Sequence, residues 1–408
     1  MPDVQPSLDH LTFLDDKQPE MVDLVLQLCN INSGTPNVDG VKKVAECLAG
    51  HYRELSDDIH THQLPDMQTV DDAGNIQDTP LGPLIHVVKN PKVRPRLILC
   101  IHTDTVYDTQ HPFQECQWLD DKKTLNGPGV ADAKGGQVVM LYALMALQQS
   151  PFADRLGWEV IMNPDEEIGS PGSTDFMQER AREADFGLLF EPSLPDGTLV
   201  SWRKGSGNFD FVFRGVAAHS GRDFDKGRNA VAAMSRMLVE IDDWNTDPQV
   251  TYNVAKVSGG SAPNIVPDVA VGRVNVRVKT RSQLVDVYEK FEEVVQRYNQ
   301  LDGITVTQHG KFRSTPKTID EGTETLQSVI EAAGNDLGIP VSWRGTGGAS
   351  DGNKMAAAGL ANIDTMGPQG GSIHSSDEFL LVDSLVPRAR LAALTMMKLA
   401  ASFKLPQE

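Results

Sequence analysis

Basic charge is in short supply. Against 56 acidic residues the chain has only 37 lysines and arginines, a formal net charge of −19. That balance works against nucleic acid or anionic membrane as a partner. It leaves room for an anionic substrate, because a few local cations override the net field. Cysteine is scarce too: Cys29, Cys47, Cys100 and Cys116, with no Cys-x-x-Cys pair. A disulfide framework is therefore not expected, and buried free thiols are. Long apolar runs are missing; no stretch of about 18 apolar residues occurs, so no membrane span is expected. Residues 1–16 are acidic and lack a basic segment followed by an apolar run. A secretory signal is therefore not expected, and a reducing cytoplasm is the expected location. Internal repeats and low-complexity tracts are absent.

What is present reads as a globular protein too long for one core, so two domains are expected. Met21, Leu24, Val25 and Leu28 form one helical stripe; Val41, Val44, Ala45 and Leu48 form another. Leu97–Ile101, Trp158–Met162 and Phe186–Phe190 are short apolar runs predicted as buried strands, with helices predicted over Gly135–Leu147 and Thr174–Glu183. After Arg203 the pattern changes. Strands are predicted at Asn208–Arg214, Tyr252–Val257, Val269–Val278 and Ile304–Gln308, with helices at Arg228–Trp244 and Ser282–Leu301. Phe209, Phe211 and Phe213 share one face, read as core. Beyond Pro316 the helix–strand alternation resumes: Thr323–Leu337, Val341–Trp343, Asp351–Ala358 and a last helix Ser384–Phe403. The expected architecture is an α/β domain with a mixed, mostly parallel sheet flanked by helices, interrupted by a βαββαβ insert. The boundaries fall at 1–204 and 316–408 for the two parts of the larger domain and at 205–315 for the insert.

The chemistry-bearing residues follow predicted strands. His102-Thr103-Asp104 ends the first; Asp132 precedes a helix in a glycine-rich turn; Glu166-Glu167 follows the second strand and Glu191 the third; His374 lies near the chain's end. In open α/β sheets, ligands sit beyond the carboxyl ends of the strands, so these positions can converge. Imidazole and carboxylate are zinc's usual donors where cysteine is absent. One carboxylate can bridge two metals about 3.5–4 Å apart. In His-x-Asp the aspartate can hold the imidazole from behind. In Glu-Glu one carboxylate can bind metal while the other moves a proton.

The stretches Ile101–Val106, Gly127–Gly136, Pro164–Gly169, Phe190–Ser193, Gly215–Ser220, Ala262–Pro267 and Ile373–Glu378 jointly resemble the metallopeptidase family of glutamate carboxypeptidase, aminoacylase, acetylornithine deacetylase and succinyl-diaminopimelate desuccinylase. The resemblance spans nearly the whole chain and keeps the family's order. It implies a zinc-exopeptidase-like fold holding two Zn²⁺ per subunit, with Co²⁺ or Mn²⁺ sharing the same ligand chemistry. His102 and Glu191 would bind one ion, Glu167 and His374 the other, and Asp132 would bridge them before a cis peptide bond. Glu166 would be general base and then acid, with Asp104 supporting His102. The insert would mediate a homodimer in which His219 reaches the partner's site and stabilises the oxyanion.

Glu191 stands where related aminopeptidases and dipeptidases tend to have aspartate, which resembles the carboxypeptidase and acylase branch. Arg277, Asn264 and the loop Gly345–Gly352, with Gly347 and Gly348, match the family's substrate-binding positions. The loop's backbone N–H groups are expected to face an anion. Arg273 and Lys279 share the face of Arg277 by period two, and either could replace it. The expected activity is carboxypeptidase-like cleavage of an amide beside a free carboxylate, with N-acyl-amino-acid deacylation as the alternative. A non-catalytic metal-binding dimer is disfavoured because neither base nor ligand is missing. His10, His51, His60, His62, His86, His111 and His309 are read as surface or structural, and Lys134 and Lys204 carry no assigned role.

Overall fold

The strand Arg96–His102 is buried from Leu97 onward because it lies inside a sheet with helices on its faces. A computed structural model of the chain describes residues 5–119 and 122–403. Its main sheet runs Asp58–His62, Leu84–Lys89, Gly157–Asn163, Arg96–His102, Phe186–Leu189, Asn362–Ile363. The last four strands are mutually parallel and the first two pair antiparallel. The continuous apolar strands are thus those covered on both faces, as expected of a parallel sheet.

Helix Gly136–Gln148 packs against helix Leu385–Ser402. Its residues from Gly136 to Leu144 are all buried, which explains why it is apolar all round rather than striped. Val130–Gln148 is the one segment among the described residues long and apolar enough to cross a membrane, and 94% of it is buried inside the protein. Its apolarity therefore serves the core.

From Gly205 to Ser314 the chain builds a separate antiparallel sheet, ordered Thr251–Gly259, Val269–Val278, Gly205–Arg214, Thr305–Ser314. Helices Ala230–Asp242 and Arg281–Tyr298 cover one face. Phe209, Phe211 and Phe213 point into that second core and meet Phe291 and Tyr298 edge-on. The chain enters and leaves this unit side by side, Arg203 and Lys317 exchanging two backbone hydrogen bonds of 3.1 and 3.0 Å.

Several elements differ from the sequence reading. The last strand of the insert runs to Ser314 because its second half pairs fully with Gly205–Arg214 despite its polar residues. The strand expected at Val341–Trp343 lies at Trp343–Thr346 and joins Leu199–Arg203 in a two-stranded parallel ribbon outside the main sheet. A hairpin, Met67–Val70 with Ile76–Thr79, has too little apolar alternation to be seen in sequence. It docks on the insert's sheet through Asp72, 2.9 Å from Arg273 and 3.0 Å from Lys256.

One buried carboxylate holds the sheet to its covering helix. Glu159, 2% exposed on strand Gly157–Asn163, accepts two 2.8 Å hydrogen bonds from Arg180 and lies 2.9 Å from His86. Burial opposes its charge, but Arg180 and His86 hold its carboxyl down to about 2. The contribution is present above the carboxyl's unfolded range and drains away as pH falls toward 2. Glu159→Ala leaves Arg180 and His86 facing an empty site and is expected to cost about 3–5 kcal/mol. Urea unfolding at neutral pH measures this, and the gap between wild type and variant should narrow below pH 4; a constant gap would contradict the account.

Candidate metal centre and catalytic cleft

Parallel strands deliver the acidic and imidazole side chains to one edge of the main sheet. His102 is the last residue of Arg96–His102, and Asn163, its register partner, closes Gly157–Asn163 just before the short helix Glu166–Ile168. Glu191 follows Phe186–Leu189, paired on the other side. Asp132 lies on the turn before helix Gly136–Gln148, and its peptide bond to Ala133 is cis. His374 comes from the C-terminal part of the chain with a φ of 63°, a left-handed conformation that a non-glycine residue keeps only when its surroundings hold it. Ser375 Oγ, donating to Ser372 O at 2.6 Å, tightens that turn.

The two oxygens of Asp132 face different partners. Oδ1 is 3.0 Å from His102 Nε2, which is in turn 3.7 Å from Glu191 Oε2. Oδ2 is 3.3 Å from His374 Nε2, itself 3.1 Å from Glu167 Oε2. Donors about 2.0–2.2 Å from one zinc lie roughly 3.3 Å apart in a tetrahedron, close to these spacings. His102, Asp132 and Glu167 each offer an atom within 4.8 Å of the others'. A further observation points to a cation: Glu167 Oε1 is buried with no hydrogen-bond partner. Orphaned buried carboxylate oxygens are costly, and a metal ion would satisfy this one. The donor set therefore suits a pair of divalent ions, held by His102 and Glu191 on one side, Glu167 and His374 on the other, with Asp132 between.

The electrostatics follow from crowding like charges. Burial lifts the Glu166, Glu167 and Glu191 carboxyls, Glu167 to about 7. Neighbouring carboxylates add to it: Glu191 and Asp351 act on Glu166, and Asp132 acts on Glu167 and Glu191. Asp132 goes the other way; burial opposes its charge, but hydrogen bonds to His102 and His374 hold it well below the usual range. The same contacts with Asp132 and Glu167 push His374 up to about 11. Glu166 lines a cavity of about 280 Å³ with Asp132, Glu191, Arg203, Arg277 and His374. A carboxyl raised in this way is poised to take and return a proton.

Three supporting groups hold the centre in shape. Asp104 reaches His102 twice, its backbone carbonyl 3.0 Å and its Oδ1 3.3 Å from Nδ1. Its carboxylate also accepts from the backbone N–H groups of Glu166 and Glu167 at 3.1 and 3.2 Å and from Thr35 Oγ1 at 2.7 Å. One aspartate thereby fixes both the first imidazole and the Glu166-Glu167 turn. Glu378 does the same for the Asp132 loop. Fully buried, it accepts from the N–H groups of Gly129, Ala131 and Asp132 at 3.2, 2.9 and 3.0 Å and from Tyr107 Oη at 2.8 Å. Glu378 closes the motif around His374, but nothing in that spacing reveals that it reaches back across the chain. Lys354, buried and 2.8 Å from Asp351, supplies a positive charge beneath Glu166.

On the substrate side the structure separates the three basic residues of strand Val269–Val278 and its extension. Arg277 faces the cavity and donates to Asn275 Oδ1 at 3.0 Å and Gly347 O at 3.4 Å. Arg273 is taken up by Asp72, and Lys279 sits 5.1 Å over the Trp202 ring. Arg203, not anticipated from sequence, also lines the cavity; it is buried, ion-paired with Asp364 at 2.8 Å and donates to Gly348 O at 3.3 Å. The glycine loop thus differs from expectation. Its contacts with the two arginines use the carbonyls of Gly347 and Gly348, and the Gly348 N–H donates to Thr346 Oγ1 within the loop. An anion would be met by guanidinium groups first.

His219 and Asn264 are not brought to this cleft within one chain. Both are exposed, joined through Ser220 N donating to Asn264 O at 3.0 Å. His60 and His62, ring centroids 6.1 Å apart, lie elsewhere with His86 and Phe176. A cavity of about 860 Å³ is lined by the Met67–Thr79 hairpin and touches the centre through Glu167.

Residues 98–398 match the family described as Peptidase family M20/M25/M40. The chain is 26% identical over 394 residues to carboxypeptidase G2 of Pseudomonas sp. (strain RS-16), covering 95% of this chain and 91% of that one. It is 24% identical over 317 residues to the succinyl-diaminopimelate desuccinylase of Pseudoalteromonas translucida (strain TAC 125), covering 72% and 80%. Among solved structures it resembles a dinuclear metal binding peptidase of the M20 family from Bacillus subtilis, with a TM-score of 0.63, 15% identity and coverage of 94% and 98%. The role of Glu378 is open to a direct measurement. Glu378→Ala strips one carboxylate from three backbone N–H groups around Asp132 and is expected to weaken metal binding about 10–100-fold. Competition with a chromophoric chelator reads this, and wild-type affinity in a folded variant would refute it.

Proposed function

The chain belongs to peptidase family M20/M25/M40, and from that premise we propose that it is a two-metal hydrolase cleaving an amide bond next to a free carboxylate, as a carboxypeptidase does. The observation that carries the reading is the division of Asp132 between the His102–Glu191 and His374–Glu167 pairs, with Glu166 in the adjoining cavity. When bound, zinc or a similar divalent ion supplies Lewis acidity that polarises a carbonyl and makes water more acidic.

The remaining steps belong to the chain's own groups. Glu166 accepts the proton of the attacking water and later passes it to the departing amine. Burial and the Glu191 and Asp351 charges raise its affinity for that proton, and the His102 and Lys354 charges restrain the rise. Arg277 grips the substrate carboxylate; burial makes its own charge costly, so an anion arriving beside it is favoured. Arg203 steadies the loop beside it through Gly348.

His219 and Asn264 complete the site only if a second copy supplies them, so the proposal includes a homodimer. Their exposure on the insert, beside Phe224 with 66% of its surface open, supports this reading. N-acyl-amino-acid deacylation remains the second reading. It is favoured by the similarity to a desuccinylase, and the metal ligands are the same for both reactions. A non-catalytic role fits less well, because Glu166 is present and lies in the cavity.

Glu166→Ala is expected to lower kcat about 10²–10⁴-fold with two metal ions still bound per subunit. Activity assays beside elemental analysis test this, and near-normal turnover would reject the role. Dipeptides with a free C-terminus and N-acyl amino acids, compared at equal metal loading, separate the two readings. The carboxypeptidase reading expects peptides to have the higher kcat/KM; a preference for acyl amino acids would replace it with the deacylase.

A further inference from the structure

Two of the four cysteines, far apart in sequence, meet behind the Asp132 loop. Cys29 is the last residue of helix Gln18–Cys29 and is fully buried. Cys116 lies just before the short strand Gln117–Trp118 and is half-buried. Both pack into the same hydrophobic cluster, and each thiol is near enough to shift the other's acidity.

The neighbourhood is built around this contact. Asn30 Oδ1 accepts from Cys116 N at 3.3 Å, fixing the two backbones side by side. A Cβ at Gly127 would sit 2.7 Å from both Cβ and Sγ of Cys116, so only glycine leaves room for that thiol where it is. Lys134 donates to Ile31 O at 2.8 Å, and its positive charge reaches both sulfurs. The other two cysteines lack this setting. Cys100 is buried in the main sheet beside Asn163, and Cys47 contacts Gln27 Nε2 at 3.5 Å.

The two thiols differ in their chemistry. Burial, then the neighbouring Cys116 thiol, pushes Cys29 well up; Cys29 in turn lowers Cys116, against burial, with Lys134 adding to the lowering. Cys116 is therefore the nucleophile of the pair, and Cys29 is held within reach to resolve it.

We infer that Cys29 and Cys116 are a dithiol that peroxide converts to a disulfide, stapling the end of helix Gln18–Cys29 to the segment leading into the Asp132 loop. The Cys116 thiolate attacks one oxygen of hydrogen peroxide and the O–O bond breaks. Hydroxide leaves, takes up the proton that Cys116 gave up, and departs as water. The Cys29 sulfur then displaces the oxygen of the resulting sulfenic acid, which leaves with the Cys29 proton as a second water. Two thiols are oxidised by two electrons and one peroxide is reduced. A resolving thiol already in contact protects Cys116 from the irreversible higher oxides. The inference is independent of the hydrolase reading.

The test uses the full-length, metal-loaded protein treated with a few equivalents of hydrogen peroxide. Free thiols counted after denaturation should fall from four to two. Tryptic mapping should find the Cys29 and Cys116 peptides joined, lighter by two hydrogens, and separated again by reductant. Cys47→Ser should keep the link and Cys116→Ser should lose it. Linkage through Cys47, or Cys116 carried to sulfinic or sulfonic acid without a link to Cys29, would overturn the inference. So would four intact thiols after prolonged exposure. The linkage is read in the wild-type protein, so the result does not hang on whether a variant folds.

Discussion

Asp132 shares one carboxylate between two imidazoles, and much of the chain is arranged around that geometry. His102 meets one oxygen and His374 the other, and each imidazole then has its own glutamate. Four carboxylates buried this close together resist ionisation, by burial first and by mutual repulsion second, and the Glu166, Glu167 and Glu191 carboxyls are raised accordingly. Such a cluster persists only if positive charge is supplied and if the backbone behind it cannot relax outward. The two imidazoles supply part of the first requirement, and the donor set suits metal ions that would supply the rest.

The second is met by acceptors that act on the backbone. Asp104 ties the end of one strand to the turn after the next, so His102 and the Glu166-Glu167 pair cannot move separately. Glu378 gathers three N–H groups of the Asp132 loop, and Tyr107 locks it in turn. Neither carboxylate is among the donors facing His102 Nε2 or His374 Nε2. Each explains why side chains carried on short turns nevertheless keep fixed positions. The thiol pair of Cys29 and Cys116 packs against this same loop from behind, beside Lys134.

Recognition of substrate rests on softer ground. His102, Glu167 and Glu191 stand at or just beyond strand ends, whereas the exposed Gly347–Gly348 loop is held by arginines that donate to its carbonyls. By period two, Arg273, Arg277 and Lys279, on strand Val269–Val278 and its extension, were equal candidates to face the cleft. Packing against Asp72 and Trp202 took two of them out.

Much of this protein could be read from its amino acids, because strands and helices announce themselves by local period and because His102, Glu166, Glu167 and Glu191 sit at or just beyond strands, with Asp132 in the turn before a helix. A turn's position relative to a strand is local information, and a parallel sheet converts it into convergence at one edge. The sequence could also show the switch to alternating strands after Arg203, since Phe209, Phe211 and Phe213 carry period two. Contacts between distant segments were not legible. Glu378 reaching Gly129, Arg203 reaching Asp364 and Gly348, and Cys29 meeting Cys116 leave no periodic trace in the chain. The Met67–Thr79 hairpin was equally silent, because its short, mostly polar strands show too little apolar alternation to mark them. Sequence specifies which groups are available and where along each element they stand; only the folded packing decides which of them satisfy one another, because hydrogen bonds and charges act on distance in space.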